Sequence, residues 1–350
     1  MKTISIDAPR LLGRRHALCS AAAAIAAPAI VACGGGSSFS SYAQTAPASV
    51  NNAVAEFAAM EPETTGVLVR VAAPQTPWSA GHGTERKLFV ASGVKTFILG
   101  QFLRDSETAG SSLNQNGPCE VSDRFRSLGS SVLVGLTGKT NYRTALEAMI
   151  AHSDNTATDI AMAAVSVDRV RALIAQAGLT QTQIPDSTRR MFSYLAGAPI
   201  GVDLGWLDML KLQSGEGVGL PARKDVINGQ ESMLSTATEM VTWYQQALAG
   251  KYFTTPASLR EFKRISAMAT ALWQTVPADT IAYGKGGSID WEDFHALCLA
   301  GQMRVKDIPV SFCFTLNWTG GTLTSNTRLG DFGAAISKVL AAVDASLRAA

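Results

Sequence analysis

Histidine and cysteine are scarce in this chain, at four and five residues out of 350. No Cys-x-x-Cys pair and no His/Cys spacing of the metal-ligand kind occurs, which sets zinc and dithiol chemistry aside. Charge is sparse too, at 17% of residues with a formal net charge of +2. The first 32 residues carry Lys2, Arg10, Arg14 and Arg15 against Asp7, so the remainder sits near −1. A body so close to neutral lacks the basic footprint of a nucleic-acid binder. Beyond residue 32 no apolar run reaches the roughly 20 residues needed to cross a bilayer as a helix. Glutamate is absent from Thr156 to Gly215. What remains is a chain 47% hydrophobic, enough to fill the core of one large domain or two ordinary ones.

The N-terminus reads as a targeting segment. Residues 1–18 are positively charged and residues 19–32, CSAAAAIAAPAIVA, are apolar and rich in small side chains, as an export signal is. Arg14-Arg15 fits a twin-arginine signal, with a plain Sec signal as the alternative. Ile30-Val31-Ala32-Cys33 resembles a bacterial lipobox, which makes Cys33 the expected lipidation site and residues 33–47 a flexible tether. The expectation is an exported protein, in the periplasm or held at a membrane only through that anchor. Cys119, Cys298 and Cys313 then remain in the domain. A bridge between Cys298 and Cys313 on neighbouring strands is open, and buried free thiols are the plainer reading.

Residues 48–348 read as one mixed α/β domain. Val50–Met60 is amphipathic, Gly66–Val71 reads as a strand, and Gly83–Phe89 as its hairpin partner. Helical spacing then dominates from Ser92, through a long pattern over 144–165 and a shorter one from Val167 to Ala177 closed by Gly178. Residues 179–205, with two prolines and three glycines, read as an ordered loop. Ser235 with Thr238-Glu239 marks a helix start at Ala237. A further helix spans Thr255–Ser266, three strands begin at Tyr283, His295 and Pro309, and a helix over Gly333–Arg348 closes the chain. The first and last parts (48–91 and 228–348) can share one antiparallel sheet, with 92–227 inserted as an all-helical lobe.

Three short motifs fall in order along this frame. Ser92-Gly93-Val94-Lys95 opens a helix, Ser153-Asp154-Asn155 follows the segment Ala148–His152, and Lys285-Gly286-Gly287-Ser288 lies on a strand. Together they resemble the active-site motifs of class A serine β-lactamases and penicillin-binding proteins. The resemblance extends over residues 50–348, through Leu234–Met240, Phe253-Thr254-Thr255-Pro256 and Val276-Pro277-Ala278-Asp279.

A serine hydroxyl is a weak nucleophile and needs a base beside it. Three residues apart on a helix, Ser92 and Lys95 share a face, and a desolvated lysine near other cations loses its proton readily. The resemblance implies that Ser92 forms an acyl-enzyme, that its own N–H and that of Ser288 bind the oxyanion, and that Gly287 is part of the substrate-binding edge. It implies that Ser153 relays a proton to the leaving group, that Lys285 holds that network, and that Asn155 positions the substrate amide and Lys95. Asp154 reads as a loop tie. This chemistry requires no metal or organic cofactor, and the implied partner is a small β-lactam, amide or ester. A monomer is the expectation.

Departures from the family pattern bear on the later steps. Class A enzymes hydrolyse the acyl-enzyme with a water activated by a glutamate in the loop after the second motif. Here Thr188 falls about where that residue would stand, Phe192 near the family's loop asparagine, and Asp186 is the candidate substitute base. Gly286 stands where the family has Thr or Ser, and Phe294 or His295 where an arginine assists carboxylate binding. Turnover of β-lactams by another base, a slowly deacylating penicillin-binding type, an esterase, and an idle periplasmic binding lipoprotein all follow from this pattern.

Overall fold

The computed structural model describes residues 44–108, 110–321 and 327–349. The export, twin-arginine and Cys33 expectations lie outside the described residues. Short β1 (Gln44–Thr45) precedes α1 (Ala48–Ala58), whose Val50, Val54 and Phe57 at helical spacing are buried. Next come β2 (Thr65–Val71) and β3 (Trp78–His82), paired antiparallel from Val71 opposite Trp78 to Val67 opposite His82. The hairpin partner of β2 is thus not Gly83–Phe89. The Ala72–Pro77 turn is short, so the return strand starts as soon as Pro77 is passed, and only Leu88–Phe89 (β4) is extended later.

A 3₁₀ turn over Ala91–Val94 runs straight into α2 (Lys95–Ser106). The pattern expected as one helix over 144–165 is two, α3 (Tyr142–Ala151) and α4 (Asn155–Val165). Ser153 breaks it with φ +59°, and Asp154 caps the second by accepting from Ala157 N at 2.8 Å. Ahead of α3, the inserted segment also carries a two-stranded sheet of β5 (Pro118–Val121) and β6 (Gly138–Asn141). After α5 (Val167–Gln176), the expected loop contains a helix, α6 (Thr188–Leu195), capped by Ser187. The cue was present: Ser187 ahead of Met191, Tyr194 and Leu195 is a cap followed by a one-sided apolar stripe.

Helix α7 (Gly205–Ser214), strand β7 (Leu234–Ser235) and α8 (Ala237–Leu248) lead back toward the sheet. The cap of α8 is Thr236, one residue after the expected Ser235, and Glu239 turns away to bind Gln181 N and Thr182 Oγ1. Then follow α9 (Pro256–Ser266), short α10 (Thr270–Trp273), and three long strands, β8 (Ile281–Trp291), β9 (Phe294–Val305) and β10 (Ile308–Thr319). Helix α11 (Arg328–Ala349) ends the described chain.

The main sheet runs β1-β3-β2-β10-β9-β8, antiparallel except for the β1–β3 pair, with β8 at one edge. On one face Phe57 of α1 packs between Phe314 of β10 and Phe332 of α11, at ring distances of 5.2 and 5.7 Å. On the other lies α8. Its buried Trp243 packs at a tilt against Phe97 of α2, with ring centroids 4.8 Å apart, and donates to Thr96 Oγ1. Cys298 and Cys313 stand diagonally on this face, opposite Thr315 and Ala300 in the β9–β10 register. They are free thiols, as is Cys119, and Thr315 Oγ1 lies 3.5–3.6 Å from both sulfurs.

Candidate active site

Ser92 sits in the tight turn that feeds α2, after Ala91 at φ +47°. Residues ahead of it are fastened twice. Val90 N donates to Met233 O, and the Asn317 side chain of β10 clamps Phe89 by accepting from its N and donating to its O, both at 2.9 Å. Strand β8 passes against this turn so closely that a Cβ on Gly287 would lie 2.7 Å from Ser92 N and 2.6 Å from Val90 O. Only glycine fits at 287. Because β8 is an edge strand, alternate N–H groups of its backbone lie free of the sheet ladder beside the Ser92 amide.

Lys95, the first residue of α2, is fully buried. Its Nζ donates to Ser153 O at 2.5 Å, to Asn155 Oδ1 at 2.6 Å and, more weakly, to Ser153 Oγ at 3.4 Å. These bonds run to the second motif and not to the Ser92 hydroxyl. Burial, reinforced by the Lys285 ammonium, holds Lys95 well below the ordinary lysine range. Lys285 projects from β8 with 2% of its surface exposed and donates to Ser153 Oγ at 3.0 Å and to Gly286 O at 2.6 Å. Burial lowers it to about 7. Ser153 Oγ therefore lies between two lysines that both give up protons easily.

Asp154 takes no part in this exchange. Fully buried, it accepts from Ala157, Val132 and Leu133 N–H groups, and so ties the segment before β6 to α4. Asn155 spends its amide NH₂ on Leu128 O, which leaves its oxygen to hold Lys95. Ser92, Lys95, Ser153, Asn155, Lys285, Gly287 and Ser288 are thus gathered where α2, the α3–α4 junction and β8 meet. The donor set of two lysines, serine hydroxyls and an amide is that of proton transfer and not of metal ligation.

Asp186 is placed differently from its expected role. Its two carboxylate oxygens pair with Arg171 at 2.8 Å and Arg190 at 2.7 Å. Burial alone would raise its pKa, but the two guanidinium groups outweigh this and hold it below the usual carboxylate range. A carboxylate so engaged is a poor proton acceptor. Thr188, buried, donates to Asp159 Oδ1 at 2.9 Å, and its hydroxyl lies against Ser127 Oγ at the same distance. Asp159 also accepts from the N–H groups of Thr188 and Arg189 at 2.7 and 3.1 Å, and pins the start of α6 to α4. Burial pushes Asp159 up to about 6 against the pull of those bonds. Neither Asp159 nor Asn317 was singled out from sequence. The signal available for Asn317 was an amide at the end of an otherwise apolar strand.

The model of the beta-lactamase enzyme family matches residues 49–294. The chain belongs to that family. Among solved structures, a beta-lactamase from Chitinophaga pinensis aligns over 85% of this chain and 99% of its own, with 17% identity and a TM-score of 0.65. A beta-lactamase from Sphaerobacter thermophilus aligns over 84% and 95%, at 18% identity and 0.60. PBP-A aligns over 85% and 97%, at 14% identity and 0.61, and a variant of it is known as an acyl-enzyme complex with penicillin G. At such identities the likeness shows a shared fold. No curated protein sequence matches. The beta-lactamase-like fold expected from the three motifs is therefore found, and with it a beta-lactamase-like serine hydrolase.

Proposed function

We propose that the protein is an exported, lipid-anchored serine hydrolase that forms an acyl-enzyme on Ser92 and releases it slowly. The observation that carries this reading is the position of Ser153 Oγ between Lys95 and Lys285, both buried and both easily deprotonated. Neutral Lys95 swings from the second motif to take the Ser92 proton as Oγ attacks the substrate carbonyl. The developing oxyanion is met by the N–H groups of Ser92 and Ser288. Ser153 hands a proton to the departing amine or alkoxide and is resupplied by Lys285.

Deacylation needs a base for water, and the carboxylates of the loop and of α4 beside it already have protein partners. Asp186 is held by two arginines, and Asp159 by Thr188 and Arg189. This favours a lasting adduct, the behaviour of a penicillin-binding type of protein, over rapid β-lactam turnover. The acyl-enzyme of the PBP-A variant supports the same reading by likeness of fold. The signal and lipobox patterns around Arg14-Arg15 and Cys33 support export.

Intact-protein mass followed over time with a chromogenic cephalosporin, and separately with a fluorophosphonate, tests the reading. Both reagents should add to Ser92, and the cephalosporin adduct should persist. The Ser92→Ala protein should show neither adduct while melting at the same temperature. Adduct formation that survives this substitution would refute the site, and rapid colour development would refute slow release.

A further inference from the structure

The strand that carries Lys285 is paved with glycine on both faces, for two different reasons. Gly287 faces the Ser92 turn, as described above. Gly286 faces the other way, toward α10, where a Cβ would lie 2.7 Å from the Ala271 methyl group. Two residues earlier on the same face, a Cβ on Gly284 would lie 3.0 Å from Leu272. Helix α10 is fixed in place there: Thr270 Oγ1 donates to Ala151 O, Thr275 Oγ1 to Ala271 O, and Leu272 is buried. The methyl group of Ala271 thus fills the position where any side chain at 286 would stand, and no hydroxyl or cation can be offered there.

Charge around this edge points the same way. No lysine or arginine occurs from Gly286 to Met303. Along β8 the exposed continuation of the Gly286 face is Ser288 and Asp290, and Glu292 and Asp293 stand exposed in the turn to β9. His295, opposite Asp290 in the register, is fully buried with its Nδ1 2.7 Å from the Asp290 carboxylate. The two lysines beside Ser92 are both withdrawn from solvent and bonded to protein oxygens, so neither presents a firm ammonium to an incoming anion. A carboxylate brought to Gly286 would lose its water and meet a methyl group, with Lys285 turned inward and no other lysine or arginine from there to Met303 to receive it.

We propose that the cleft favours acyl donors whose departing portion is uncharged, neutral esters or amides, over those that carry a carboxylate there, and that Ala271 packed on Gly286 sets this preference. A cephalosporin then acylates Ser92 more slowly than a neutral ester does. The proposal rests on the Ser92 acyl-transfer reading. Its chemistry adds nothing to that step: Ser92 Oγ bonds to the acyl carbon, the bond to the alkoxide or amine breaks, and Ser153 protonates the departing group.

Phenyl butyrate and 3-carboxyphenyl butyrate separate the possibilities, because both leave the same butyryl group on Ser92 and differ at the leaving group by one charge. The neutral ester should acylate the protein at least about tenfold faster, the discrimination expected when a carboxylate is desolvated without a partner. Equal rates, or a faster charged ester, would overturn the proposal. In Ala271→Arg, a cation placed beside Gly286 should bring the ratio to parity or reverse it, and an unchanged ratio would remove Ala271 as its cause. Fluorophosphonate labelling of Ser92 is run alongside on both proteins. If it labels while neither ester reacts, the substrate class is wrong and the serine site stands. If it fails in the wild-type protein, the acyl-transfer reading falls and takes this proposal with it.

Discussion

Around Ser153 two lysines lie buried with no carboxylate bonded to either, whereas around Thr188 each carboxylate has its partners. The first region carries the cost of desolvating ammonium groups and gains lysines that part with protons near neutrality. The second gives each carboxylate hydrogen-bond or ion-pair partners and gains a fixed loop, although burial still lifts Asp159 to about 6. Reactivity and rigidity thus weigh differently on the two sides of one cleft. The acylating half leaves its lysines without a carboxylate, and the half that would supply hydrolytic water holds its carboxylates in place.

The sharpest way to break this contrast is to remove the base. Lys95→Met should slow acylation by roughly 10²–10⁴-fold, the range for loss of a positioned general base, read as the rate of adduct formation by mass. The melting temperature should hold or rise, because a buried ammonium is replaced by an apolar chain of similar length.

A smaller effect should appear in the pH profile. With Lys285 lowered to about 7, the ammonium that resupplies Ser153 is lost as pH rises through neutrality. Acylation of a neutral ester should therefore decline above about pH 7, and Lys285→Met should abolish that limb. Stability carries the opposite sign. The folded lysine binds fewer protons than the unfolded one between about 7 and 10.5, so its burden on the fold is relieved as pH rises across that window. Chemical denaturation of wild type and Lys285→Met at pH 6.5 and 9.5 checks this: only wild type should gain from this group.

The smallest change is expected at the loop. Asp186→Asn should leave the lifetime of the acyl-enzyme unaltered, since both carboxylate oxygens of Asp186 are taken by Arg171 and Arg190. Stability should fall by about 1 kcal/mol or less, as for half-exposed ion pairs. A markedly longer-lived adduct in this variant would restore Asp186 as the base.

What was legible in the sequence follows from distance along the chain. Ser92 and Lys95, the Ser153-Asp154-Asn155 run and Lys285-Gly286-Gly287 announce themselves because each motif is local and its spacing fixes a shared face. The three long strands from Tyr283 onward were read for the same reason. The sequence is least informative where a partner from elsewhere in the chain decides the surroundings. Asp186 looked available until α5 brought Arg171 to it, although Arg190, four residues on, could have been suspected. Gly286 looked like a missing hydroxyl and is a seat for Ala271, a fact that exists only once α10 has docked. The hairpin partner of β2 was misplaced by the choice between two adjacent short segments, which the Ala72–Pro77 turn decides.

The Asn317 clamp on Phe89 has a consequence for the order in which the molecule matures. Its two hydrogen bonds join residues 228 positions apart, and the Lys285 bond to Ser153 spans 132. Closing loops of that size is entropically late, and chains ruled by such distant pairings fold slowly. The nucleophile is therefore seated only after the last strand has added to the sheet. A nascent or truncated chain lacking β10 should carry Ser92 as an ordinary, unreactive alcohol, so that fluorophosphonate labelling reports the docking of β10 as well as the chemistry that follows it.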